Sequence, residues 1–146
     1  MKKLFTLLLI GALFAIALPK TTIAQVANGV TFKSVQTRTA TTDTITNAVT
    51  KTQYASITGF QNIVSIQTVL TKLSGTTAGV AYLYGSLDNV TYVRLVPDSL
   101  ILANVTTQSK LWLIQPSSVQ YYQVRVVPTG TQSTKIATYG IYRRQP

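Results

Sequence analysis

The 146-residue chain has no Cys, no His and only three acids, Asp43, Asp88 and Asp98, against 13 Lys and Arg, for a formal charge of +10. That inventory excludes thiolate and imidazole chemistry, metal sites built on nitrogen or sulfur, and disulfides, so no catalytic residue, no metal and no cofactor is expected. With 46% apolar and 11% charged residues, the chain is no disordered polycation; it buries a core under a thinly charged surface.

Met1-Lys2-Lys3 is a positive leader, and the uncharged run from Leu4 to Leu18 is 15 residues long before Pro19 and Lys20 end it. A membrane-spanning helix needs about 20 apolar residues, so the segment reads as a secretory signal peptide over residues 1–24, cut after Ala24. Residues 25–146 then form one domain, exported to the extracellular space, the cell surface or a virion, with no membrane span after cleavage. Loss of Lys2, Lys3 and Lys20 takes the charge from +10 to +7.

The rest reads as strands rich in Thr, Val, Ile and Tyr. The spacing predicts them at Val30–Thr37, Gln53–Thr58, Ile63–Leu73, Val80–Leu87, Tyr92–Val96, Ser99–Leu102, Lys110–Gln115, Tyr121–Val127 and Lys135–Arg143. Turn residues separate them at Ser74–Gly79, Asp88-Asn89, Pro97-Asp98, Pro116–Ser118 and Pro128–Gly130. The fold class is all-β: a single antiparallel β-sandwich or jelly roll of about eight strands, with a closed barrel as the second choice. The stretch Thr37–Thr52 is either an edge strand with a long loop or an extended arm exchanged between subunits.

Alternation assigns the faces. Tyr122, Val124 and Val126 point inward and Tyr121, Gln123 and Arg125 outward. Leu111 and Leu113 are taken as inward, opposite Lys110, Trp112 and Ile114. Val64 and Ile66 share one phase and Val69 and Leu73 the other, which predicts a β-bulge near Thr68.

The acids lie in separate turns or strand edges, so a catalytic carboxylate pair is not expected, and Asp88 and Asp98 read as turn residues. The aromatics are the better candidates. If the strands holding them pair, Trp112, Tyr121, Arg125 and Lys110 form one outward ligand-binding surface suited to sugar rings and their anionic groups. The competing reading has Trp112 covering a sheet edge or a subunit interface. Lys and Arg are dispersed, so the charge pattern does not point to nucleic acid as a partner, and an anionic surface outside the cell fits better.

The segment Leu83-Tyr84-Gly85-Ser86-Leu87-Asp88-Asn89-Val90-Thr91-Tyr92-Val93, followed by Val119-Gln120-Tyr121-Tyr122-Gln123-Val124-Arg125-Val126, carries a resemblance. It resembles a Gly-Ser-x-Asp-Gly-x-x-Trp/Tyr hairpin and a later Tyr-x-Arg-Val strand. Both occur in small β-sandwich proteins of phage virions and in discoidin-type carbohydrate-binding modules. Asn89 stands where Gly is usual, and no Arg immediately precedes Tyr121. With its Thr-rich domain and Ile-Ala-Gln leader end, the chain is similar to exported proteins of Bacteroidota and of their phages. Asp43-Thr44-Ile45 and Asp98-Ser99-Leu100 resemble the Asp-Ser/Thr-aliphatic sites that such bacteria glycosylate.

Two functions are expected from these readings. The first is a non-enzymatic structural or assembly protein, a homo-oligomer or a partner of other structural proteins in a virion or surface array. The second is a binding module for anionic or cell-surface glycans through Trp112, Tyr121, Arg125 and Lys110.

Overall fold

The computed structural model describes residues 28–34, 41–57 and 63–143. The signal-peptide reading of residues 1–24 lies outside them. The period-two pattern of Tyr121–Pro128 shows how strands arise here: Tyr122, Val124 and Val126 have no exposed surface, while Tyr121, Gln123 and Arg125 are half-buried on the other face. Eleven strands form among the described residues, each antiparallel to its neighbours. They are β1 (Asn28–Thr31), β2 (Lys33–Ser34), β3 (Thr42–Thr46), β4 (Lys51–Ser56), β5 (Ile63–Gly75), β6 (Gly79–Ser86), β7 (Val93–Arg94), β8 (Leu100–Leu102), β9 (Thr107–Ile114), β10 (Tyr121–Pro128) and β11 (Gln132–Arg143).

They make a β-sandwich. One sheet runs β1-β11-β5-β9, with β3 also pairing with β11; the other runs β2-β4-β10-β6-β7, with β8 also pairing with β6. Their inner faces meet in a core of Phe32, Ile45, Ile66, Leu70, Leu83, Tyr122, Val124 and Ile136, all fully buried. Each such side chain stabilises the fold by about 1.5–3 kcal/mol relative to exposure. The Thr-rich stretch supplies an edge strand: β3 lies alongside Ser133–Ala137 of β11 and buries Ile45.

Two face assignments are overturned. In β9 the inward residues are Trp112, 3% exposed, and Ile114, while Leu111 and Leu113 are 62% and 60% exposed. Leu111, Trp112, Leu113 and Ile114 are all apolar, so they carry no alternation, and the largest ring takes the interior, where its Nε1 donates to the Asp98 carbonyl oxygen at 3.3 Å. In β5 there is no bulge at Thr68. Val64, Ile66, Thr68 and Leu70 keep one inward phase, and Thr68 is buried because its hydroxyl meets that of Thr138 at 3.0 Å. The register with β11 instead shifts between Ser133 and Thr134, opposite Ser74 and Lys72, which skips Leu73.

Candidate functional site

The outer face of the β2-β4-β10-β6-β7 sheet gathers most of the partly exposed aromatics. Cross-strand register aligns Lys33, Tyr54, Gln123, Tyr84 and Arg94 in one row, from β2 across to β7. Thr52, Arg125 and Tyr82 form the next row, and Ser56, Tyr121 and Ser86 the row on the other side. Five strands at about 4.8 Å spacing make the central row about 19 Å long.

Cations sit on two of these rings. The Arg125 guanidinium lies 4.6 Å from the Tyr84 ring centre, and that of Arg94 lies 4.6 Å from the Tyr82 ring centre. The two tyrosines meet edge to face, 6.4 Å apart at 73°. Arg94 is anchored as well: its Nε donates to the Val96 carbonyl at 3.0 Å and a terminal nitrogen donates to that of Pro97. Tyr54 and Tyr121, diagonal neighbours on β4 and β10, are half-buried and have no cation over their rings among the described residues.

The loop after β6 folds over one end of this face and is held by Asp88. One carboxylate oxygen accepts from the Ser86 hydroxyl at 2.7 Å and from the amides of Val90 and Thr91 at 2.8 and 2.7 Å. The Val90 amide, the Ser86 hydroxyl and the Thr91 amide hold Asp88 well below the ordinary carboxylate range. A depressed carboxylate stabilises the fold above its unfolded value and loses that contribution only as pH falls through the folded one, so this clamp stays intact throughout the neutral range. Asn89 has φ 60°, in the left-handed region that Asn tolerates nearly as Gly does; this explains how it replaces the Gly of the resembling hairpin. Its side chain accepts from the Tyr92 hydroxyl at 2.6 Å. Burial raises the Tyr92 phenol above its ordinary value, and a hydrogen bond with Gln123 works in the opposite direction.

The sequence-based site is therefore split. Tyr121 and Arg125 lie together on this face, whereas Lys110 and Trp112 belong to β9 in the other sheet, which pairs with β5 and not with β10. Trp112 is a core residue. Lys110 has an inward phase but reaches the Asp98 carboxylate in an ion pair. That contact holds Asp98 below its ordinary range, its hydrogen bond with Lys110 being the main cause. Tyr54, Tyr82, Tyr84, Arg94 and Lys33 escaped the sequence reading. Two of them were within reach, because Tyr82 and Tyr84 alternate with the buried Ala81 and Leu83.

The opposite outer face has a different chemistry. Leu111 and Leu113 of β9 and Tyr139 and Ile141 of β11 are exposed on either side of Ser65 and Gln67 of β5. They wall two shallow adjoining grooves of about 270 Å³ each. Among the described residues, no group of three or more acids comes together to hold a metal ion. The remaining acid, Asp43, lies 3.4 Å from the Lys51 ammonium.

No protein-family model and no curated protein sequence matches the chain. Among solved structures, it is similar to a carbohydrate-binding module of family 28 specific for non-crystalline cellulose, with a TM-score of 0.51 and 9% identity over 80% of each chain. It is also similar to a chain of infectious bursal disease virus, Gx strain, with a TM-score of 0.51 and 12% identity, covering 82% of this chain and 33% of that one. At these identities the likeness is one of fold.

Proposed function

We propose that the protein is a non-catalytic, exported glycan-binding module whose site is the outer face of the β2-β4-β10-β6-β7 sheet. The observation that carries this reading is the cross-strand row with Gln123 between Tyr54 and Tyr84, and Tyr121 beside it. Sugar rings present C–H faces to aromatic rings and hydroxyls to amide and guanidinium groups, and this face supplies both kinds of contact on a rigid support. The sandwich it shares with a cellulose-specific module is a compatible scaffold. A non-catalytic role agrees with the acids, since glycoside cleavage uses two carboxylates flanking one bond. Here Asp88 clamps its own loop, while Asp43 and Asp98 contact Lys51 and Lys110.

The test is affinity electrophoresis through gels containing different polysaccharides. Tyr54→Ala combined with Tyr121→Ala is expected to weaken retention about tenfold or more, because each lost aromatic contact is worth about 0.5–1.5 kcal/mol. Undiminished retention of the folded double variant would overturn the site.

A second reading, assembly into an array, is favoured by the exposed apolar face of the other sheet. Its occupant is a second copy of the chain. A strand of 12 residues and four strands side by side, three spacings across, at about 3.4 Å rise and 4.8 Å spacing give a face of about 590 Å². Specific interfaces begin at about 600 Å² from each partner. Light scattering at increasing concentration should show a dimer that Leu111→Lys combined with Leu113→Lys dissociates; a monomer throughout would eliminate this reading.

A further inference from the structure

We infer that the glycan this face selects is acidic, a polysaccharide bearing carboxylate or sulfate groups, and that Arg94, Arg125 and Lys33 receive those groups. The inference rests on the glycan-binding reading and goes further, to the class of ligand. Its basis is what covers the rings. A guanidinium lies over Tyr82 and another over Tyr84, each 4.6 Å from the ring centre. The covered ring face is closed to a sugar's C–H bonds, and what this half of the site offers a ligand is guanidinium.

Their seat over the rings prepares both arginines for anions. A guanidinium seated over a ring can still turn N–H groups to oxyanions, and its planar fork matches them in pairs. Arg94 spends donors on the Val96 and Pro97 carbonyls, which fix its position, and has others to spare. Lys33 stands exposed at the far end of the row. Among the described residues, the two ion pairs that form, Lys51 with Asp43 and Lys110 with Asp98, both leave these three cations out. The acid nearest to Arg94 in sequence, Asp98, gives its ion pair to Lys110 and feels Arg94 only as a lesser charge, and Asp88 is turned into its own loop by three donors on one oxygen. Cations thus occupy both ends of the row, with Tyr54 and Gln123 between them. This layout fits a chain whose sugar rings rest on Tyr54 and Tyr121 while its anionic substituents reach the arginines on one side and Lys33 on the other.

The experiment compares polygalacturonate, dextran sulfate and neutral hydroxyethylcellulose in affinity gels at 0.15 M salt, using the full chain. At least one acidic polymer is expected to retain the protein at least tenfold more strongly than the neutral one. Retention by polygalacturonate alone assigns the carboxylate, and by dextran sulfate alone the sulfate. Arg94→Gln combined with Arg125→Gln should lose at least tenfold in that retention. Lys135→Gln combined with Arg143→Gln removes the same charge from the opposite sheet and should lose less than twofold. Equal losses in the two double variants would mean attraction to net charge alone and would overturn the inference. So would retention by the neutral polymer that needs Tyr54 and Tyr121 but ignores Arg94 and Arg125, an outcome that leaves the glycan-binding reading standing. If no polymer retains the protein, both fall. Trp112 fluorescence checks that each variant is folded.

Discussion

Trp112→Ala should lower the thermal midpoint by about 10–20 °C, the consequence of a loss of about 3–5 kcal/mol when a buried aromatic ring is removed from a packed interior. The indole is 3% exposed, fills the space where β9 meets the rest of the core, and spends its one donor on the Asp98 carbonyl. Trp112→Phe keeps most of the packing and gives up that hydrogen bond, so it should cost much less. The native protein offers an independent check, because it contains a single Trp. Its emission should be blue-shifted and resistant to a neutral quencher. A red-shifted, readily quenched emission, with a small cost for Trp112→Ala, would put the indole on the surface and return it to the candidate site.

The strand pattern was legible wherever polar and apolar residues alternate, and illegible where they do not. β10 is the clear case, since one phase holds Tyr122, Val124 and Val126 and the other holds Tyr121, Gln123 and Arg125. β9 has apolar side chains in both phases, so only the three-dimensional choice between an indole and two leucines decides which face is buried. In β5 a buried Thr68 looks like a break in the apolar phase until its partner Thr138, far along the chain, is known. Site membership failed for a different reason. Whether β9 lies beside β10 or beside β5 depends on pairing over long sequence distances, which local alternation does not encode. Chain neighbours β9 and β10 fall in opposite sheets, so Trp112 and Lys110 separate from Tyr121 and Arg125. Tyr82 and Tyr84 join the latter pair because β6 happens to be the next strand across.

Gly79→Ala should destabilise the fold by more than about 2 kcal/mol, although it adds one methyl group. Gly79 has φ 137°, a region that side chains rarely adopt, and a Cβ there would stand 2.6 Å from Pro128 Cα and closer still to the Val127 carbonyl oxygen. Backbone atoms on both sides cannot rotate away. The site is a structural crossing: residues 75–79 carry the chain from β5 in one sheet to β6 in the other, and residues 128–132 carry it from β10 to β11 beside them. The two crossings are bonded together, with the Thr76 amide on the Thr131 carbonyl at 2.9 Å, the Thr129 amide on the Ala78 carbonyl at 3.0 Å, and the Gln132 side-chain amide on the same Ala78 oxygen at 2.7 Å. β6 and β10 leave this junction carrying Tyr82, Tyr84, Tyr121 and Arg125, so strain here bears on the spacing of the binding face as well as on stability. Gly29→Ala is the control, because a Cβ at Gly29 meets nothing within 4 Å, and its cost should stay within about 0.5 kcal/mol. Urea midpoints of the two variants decide the matter: equal midpoints would mean that the junction yields freely and does not hold the two sheets in register.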